Sequence, residues 1–161
     1  MSKLTDDQLF ATLVCDEAGN QPYEGKVAVA IVVLNRIARR YESDGTMMGT
    51  VLAHFQFSGF WFEMIDHHYT QICHSLADAQ AQAMKLFLSF DSSHVYADAV
   101  RAIADARAWE AGQPMSFEPD AAFKGLTKNT VLYLNPQFSH ATWAVPAKQD
   151  AVIHDHVFYH A

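Results

Sequence analysis

The sequence predicts a helix-rich α+β fold with a small sheet, and three observations carry that prediction. Apolar residues recur at helical spacing behind recognisable helix starts as far as Glu110. One stretch, from Tyr23 to about Ile37, is apolar on nearly every side, as a helix buried within a core must be. Short β-patterned runs occur only in the last third, as Val131-Leu132-Tyr133-Leu134 and His156-Val157-Phe158-Tyr159. No repeat, low-complexity tract or linker interrupts the chain. Its 161 residues, 50% of them hydrophobic, suit a single domain over residues 1–161 that buries one continuous core.

The first helix is expected to start at Thr5-Asp6-Asp7-Gln8, a capping box in which the Thr and Gln side chains satisfy free amides of the first turn. Leu9, Phe10, Leu13 and Val14 then fall on one side, and Glu17 is the next position of that stripe. Its carboxylate therefore faces the edge of the core. Gly19-Asn20-Gln21-Pro22 stops this helix and starts the second, from Tyr23 to about Ile37. The β-branched content of the second segment would also suit a strand, and its length favours helix. Arg39 to Gly49 reads as a polar loop, and a short helix around Met47 to His54 leads into Gln56-Phe57-Ser58-Gly59. Helices follow at about Ser75 to Phe90 and Ser93 to Glu110, the latter ended by Gly112 and Pro114.

Composition excludes several function classes. A net charge of -7 supplies no basic stripe for nucleic acid. The longest apolar run, Val27 to Leu34, is too short to cross a bilayer, so no membrane insertion is expected. The amino terminus, MSKLTDDQLF, lacks the charged leader and apolar segment of a secretory signal, which points to synthesis in the cytoplasm. Cys15 and Cys73 are too few for a disulfide framework and read as buried thiols. The histidines include His67-His68 and His154-Asp155-His156, yet no His-Glu-x-x-His helix or Cys-x-x-Cys knuckle accompanies them, so neither a metal nor a cofactor is expected.

Glu17 is the residue best placed for chemistry. Cleaving a glycosidic bond requires a proton donor that stays protonated near neutral pH. Burial beside an apolar stripe, the negative end of a helix dipole and the neighbouring Asp16 all disfavour the charged form of Glu17. A glutamate at a helix end is also a common boundary residue, and the spacing alone leaves both readings open. Cys15 with a distant histidine would be the alternative, the nucleophile of a peptidase. It sits at the wrong end of its helix for a stabilised thiolate.

Asp16-Glu17-Ala18-Gly19-Asn20-Gln21-Pro22 and the helix ending in Leu34-Asn35-Arg36 are followed, in order, by Gln56-Phe57-Ser58, Tyr133-Leu134-Asn135-Pro136, Trp143 and His156-Val157-Phe158-Tyr159. Together these motifs resemble the cell wall hydrolase family typified by the spore-cortex lytic enzymes. The resemblance implies a lysozyme-like fold, peptidoglycan glycan strands as substrate and Glu17 as catalytic acid. It further implies a lytic transglycosylase, in which the C6 hydroxyl of muramic acid replaces water as nucleophile, so that a second carboxylate is not required.

Substrate contacts are expected from Gln56, Phe57, Ser58, Tyr133, Asn135, Trp143 and Tyr159, with Glu24 and His156 in supporting positions. The chain departs from the family pattern at Asp16, where a Gly is usual, at Gln21, where a second Glu is usual, and at His154-Asp155 and Leu134. Without a recognisable wall-binding module or export signal, the sequence looks like a phage endolysin, acting as a monomer on the wall from the periplasm after release. Two rivals remain: a hydrolytic muramidase whose second carboxylate is Glu63, Asp66 or Asp120, and a non-catalytic glycan-binding protein of a phage particle.

Overall fold

The computed structural model describes residues 3–161. Helix α1 spans Asp6–Ala18 and begins at the expected capping box: the Thr5 hydroxyl accepts the Gln8 N–H at 3.2 Å and Gln8 Oε1 accepts the Thr5 N–H at 2.9 Å. Helix α2, Tyr23–Arg39, is the buried centre of the molecule. Val27 through Val33 are all inaccessible, and the helix packs against α1, α5 and the first strand of the carboxy-terminal sheet. Helices α3 (Met47–Val51), α4 (Leu76–Phe90) and α5 (His94–Glu110) complete the helical layer. The last two start at Ser75 and Ser93, whose hydroxyls accept the N–H groups of Asp78 and Tyr96.

Two antiparallel sheets join these helices. Strands β1 (Phe62–Ile65) and β2 (His68–Gln71) form a hairpin, while β3 (Thr130–Leu134), β4 (Gln149–Ile153) and β5 (His156–His160) form a sheet of order β3-β5-β4. Strands β3 and β5 were legible in the sequence; the β1–β2 hairpin and β4 were not. The physical reason lies in their turns. Asp66 and His67 (φ 49° and 66°) and His154 (φ 51°) take the left-handed conformation that tight hairpin turns demand. Histidine and aspartate tolerate it without supplying the Asn-Gly or Asp-Gly signature. His67 and His154, one from each cluster that invites a metal reading, are thus turn residues. The expected helix to His54 is also shorter, ending at Val51 and giving way to turns and a single 3-10 turn at Ser58–Phe60.

Two polar residues near the end of α2 fix the carboxy-terminal sheet to the core. Asn35 Nδ2 donates to the carbonyls of Thr127 (2.9 Å) and Thr130 (2.8 Å), and Arg36 Nε donates to the Val131 carbonyl at 2.7 Å. Both side chains are buried, so losing either would remove a buried donor that ties α2 to the start of β3. This attachment sets where β3 runs, and with it the position of Tyr133.

Candidate active site

Glu17 lies in the last turn of α1, half-buried, on the floor of an open groove of about 660 Å³. Its Oε2 accepts a hydrogen bond of 2.8 Å from the Tyr133 hydroxyl, delivered by β3. Burial pushes the Glu17 carboxyl up to about 7, and the negative charge of Asp16 adds to that rise. The Tyr133 hydroxyl and the Arg36 guanidinium favour the carboxylate and limit the rise. The result is an acid half-protonated near neutrality, flanked by two groups that stabilise its conjugate base.

Arg36 supports the groove from below. Besides holding β3, its Nη1 donates to Gln56 Oε1 at 3.3 Å, and its guanidinium stands 5.0 Å from the Phe57 ring centre. The segment after α3 is thereby tied to the same cation as the strand that carries Tyr133. His156, on β5, packs edge-on to Tyr133 with ring centres 5.2 Å apart. Burial lowers its pKa and so favours the neutral ring, and its Nδ1 is buried without a protein partner. Asp16 also lines the groove, its pKa raised by burial, and packs so closely on Gly59 that a Cβ there would overlap its carboxylate.

Of the residues expected to touch substrate, Gln56, Phe57, Ser58, Tyr133 and Asn135 line this groove together with Glu17 and His156. Trp143 and Tyr159 do not. They pack against each other, ring centres 5.4 Å apart, in a separate small cluster with Val131, Leu132 and Leu134. Glu24 faces His154 across 3.7 Å at the surface, away from the groove. Among the carboxylates considered for a hydrolytic partner, Glu63 lines the groove. Asp66 sits in the β1–β2 turn, and Asp120 accepts the Phe123 N–H at 2.8 Å outside it.

Several groove residues escaped the sequence reading as site residues, among them Arg36, Phe55, Met64, Tyr69 and Phe138. For Arg36 a signal existed, since a charge within an otherwise apolar buried helix needs a purpose. For the aromatics none did, because their exposure depends on turns without a sequence signature. Cys15 is buried, and burial pushes its thiol up to about 11, which removes the thiolate that a peptidase nucleophile needs.

A family profile described as cell wall hydrolase matches residues 20–159. The chain belongs to the cell wall hydrolase family. Peptidoglycan of the wall is accordingly the polymer it degrades. The matched segment contains Arg36, Gln56, Tyr133 and His156, and begins three residues after Glu17. No curated protein matches the sequence. Among solved structures, the catalytic domain of the germination-specific lytic transglycosylase SleB from Bacillus anthracis has a similar fold, with a TM-score of 0.57 at 23% identity over 96% of this chain and 93% of that one. This cell wall hydrolase therefore has the expected lysozyme-like α+β fold. No helix among the described residues is long and apolar enough to cross a membrane.

Proposed function

We propose that this cell wall hydrolase cuts the glycan strand between muramic acid and glucosamine as a lytic transglycosylase, with Glu17 as its acid and then its base. The observation that carries the reading is the state of Glu17: a carboxyl raised to about 7 on the floor of the groove, hydrogen-bonded through one oxygen to Tyr133. With Oε2 accepting from Tyr133, the proton resides on Oε1, free to meet the bridging oxygen of a bound strand. Its transfer breaks the bond from muramic C1 to that oxygen. The carboxylate left behind is stabilised by the Tyr133 hydroxyl and by Arg36, interactions stronger with the ion than with the acid. Glu17 then takes the proton of the muramic C6 hydroxyl as that oxygen bonds to C1, giving a 1,6-anhydro end without consuming water.

A pKa near the working pH suits one group acting in both directions. The lytic transglycosylase SleB, at 23% identity, is a fold relative whose named activity accords with this scheme. One observation favours a second reading: Glu63 lines the same groove and has no ion-pair partner among the described residues, as a carboxylate activating water would require. Glu17→Gln tests the common core of both. It keeps the acceptor for Tyr133 and removes the transferable proton, so turnover of purified sacculi should fall at least about 1,000-fold. Near-normal turnover by the folded variant would refute the assignment.

A further inference from the structure

The groove around Glu17 leaves an apolar rim in water. Phe55, Met64, Tyr69 and Phe138 all line it and are respectively 42%, 55%, 67% and 81% exposed. They come from three separate segments. Met64 and Tyr69 are direct partners in the β1–β2 register and share a hairpin face with Phe62, which also lines the groove. Phe55 follows α3 and holds a left-handed φ of 62°, a costly conformation for an aromatic residue. Phe138 lies in the turn after β3. That turn is pinned at its base: the Asn135 carbonyl accepts the N–H groups of Phe138 (3.1 Å) and Ser139 (3.0 Å), while Asn135 Oδ1 accepts that of Gln137 (3.0 Å). Large rings kept exposed around one concave site mark a binding surface rather than incidental exposure.

Charge narrows the ligand. Asp16 and Glu63 bring carboxylates to the groove, while the cation lining it among the described residues is Arg36, buried and already bonded to the Val131 carbonyl and Gln56. The acidic groups of stem peptides find no counter-charge here. Sugar rings, by contrast, present apolar C–H faces to aromatic side chains, and their hydroxyl and acetamide groups match the neutral Gln56, Ser58 and Asn135.

We infer that Tyr69 on the hairpin and Phe138 on the turn after β3 form a clamp that grips the glycan strand by its sugar faces, independently of the stem peptides. This rests on the proposed function and deepens it: the clamp, with Phe55 and Met64 beside it, takes the place that Trp143 and Tyr159 were expected to fill.

The test is calorimetric titration of the full chain carrying Glu17→Gln with peptide-free glycan strands and, separately, with strands that retain their stem peptides. Tyr69→Ala and Phe138→Ala should each weaken binding of both ligands about 5- to 10-fold, the loss of one ring contact. Phe138→Tyr should restore it, and Val100→Ala, an exposed change on α5, should have no effect. Both side chains are exposed, so thermal melts should coincide with the parent's. Unchanged affinity for peptide-free strands in both alanine variants would overturn the clamp, as would losses confined to strands bearing peptides. If Glu17→Gln still cuts sacculi while the clamp variants lose affinity, the acid assignment falls and the clamp stands. If the parent binds neither ligand, both fall.

Discussion

Replacing Glu17 by Gln should make the protein more stable above neutral pH while abolishing its activity. The folded protein raises the carboxyl from 4.5 to about 7, chiefly by burial. Between those pH values the folded state holds a proton that the unfolded chain has released, so stability falls as pH rises through the window and levels off above about 7. At about 1.4 kcal/mol per unit, the loss is at most roughly 3.5 kcal/mol. The amide of the variant has no charge to desolvate and keeps a carbonyl to accept from Tyr133, so it escapes that loss. Urea unfolding of both proteins at about pH 4 and about pH 8.5 measures the effect, as the change in the stability difference between them. The variant should gain roughly 2–3 kcal/mol on the parent over that range. Parallel pH dependences would refute the reasoning, because they would mean that folding does not raise the Glu17 pKa.

Three further perturbations probe the same site. Tyr133→Phe removes a hydrogen bond that holds the Glu17 pKa down, so the alkaline limb of the pH–rate profile should move to higher pH, with kcat lower by about 10-fold as the carboxylate loses its donor. Asp16→Asn removes a negative charge that holds it up, and the same limb should move to lower pH. Cys15→Ser places a hydroxyl in a buried apolar site, and should cost about 1–3 kcal/mol in denaturant unfolding with turnover of the folded protein retained.

The helical layer was legible because its signals are local. The capping box at Thr5 and Gln8, the serines before α4 and α5 and the apolar run of α2 each act within a few residues. Glu17 was reachable by the same route, as the last position of an apolar stripe. What the sequence hid depends on contacts distant along the chain. Arg36 becomes part of the site only because β3 returns to its side of α2, across a separation of nearly a hundred residues. Trp143 and Tyr159 look like sugar platforms by residue type, yet the sheet directs them into a second small core. Tyr69 and Phe138 reach the groove through a glycine-free hairpin and a turn pinned by Asn135, neither of which has a pattern that separates it from ordinary loop.

The most direct measurement of the central claim is the mass of the products made from purified sacculi digested in water enriched in heavy oxygen. If Glu17 serves as acid and then as base for the C6 hydroxyl, muropeptides should carry 1,6-anhydro ends from the earliest time points, lighter by one water than reducing ends and free of label. Reducing muramic ends that carry the heavy oxygen from the start would contradict that account, and would move the search for a water-activating carboxylate to Glu63.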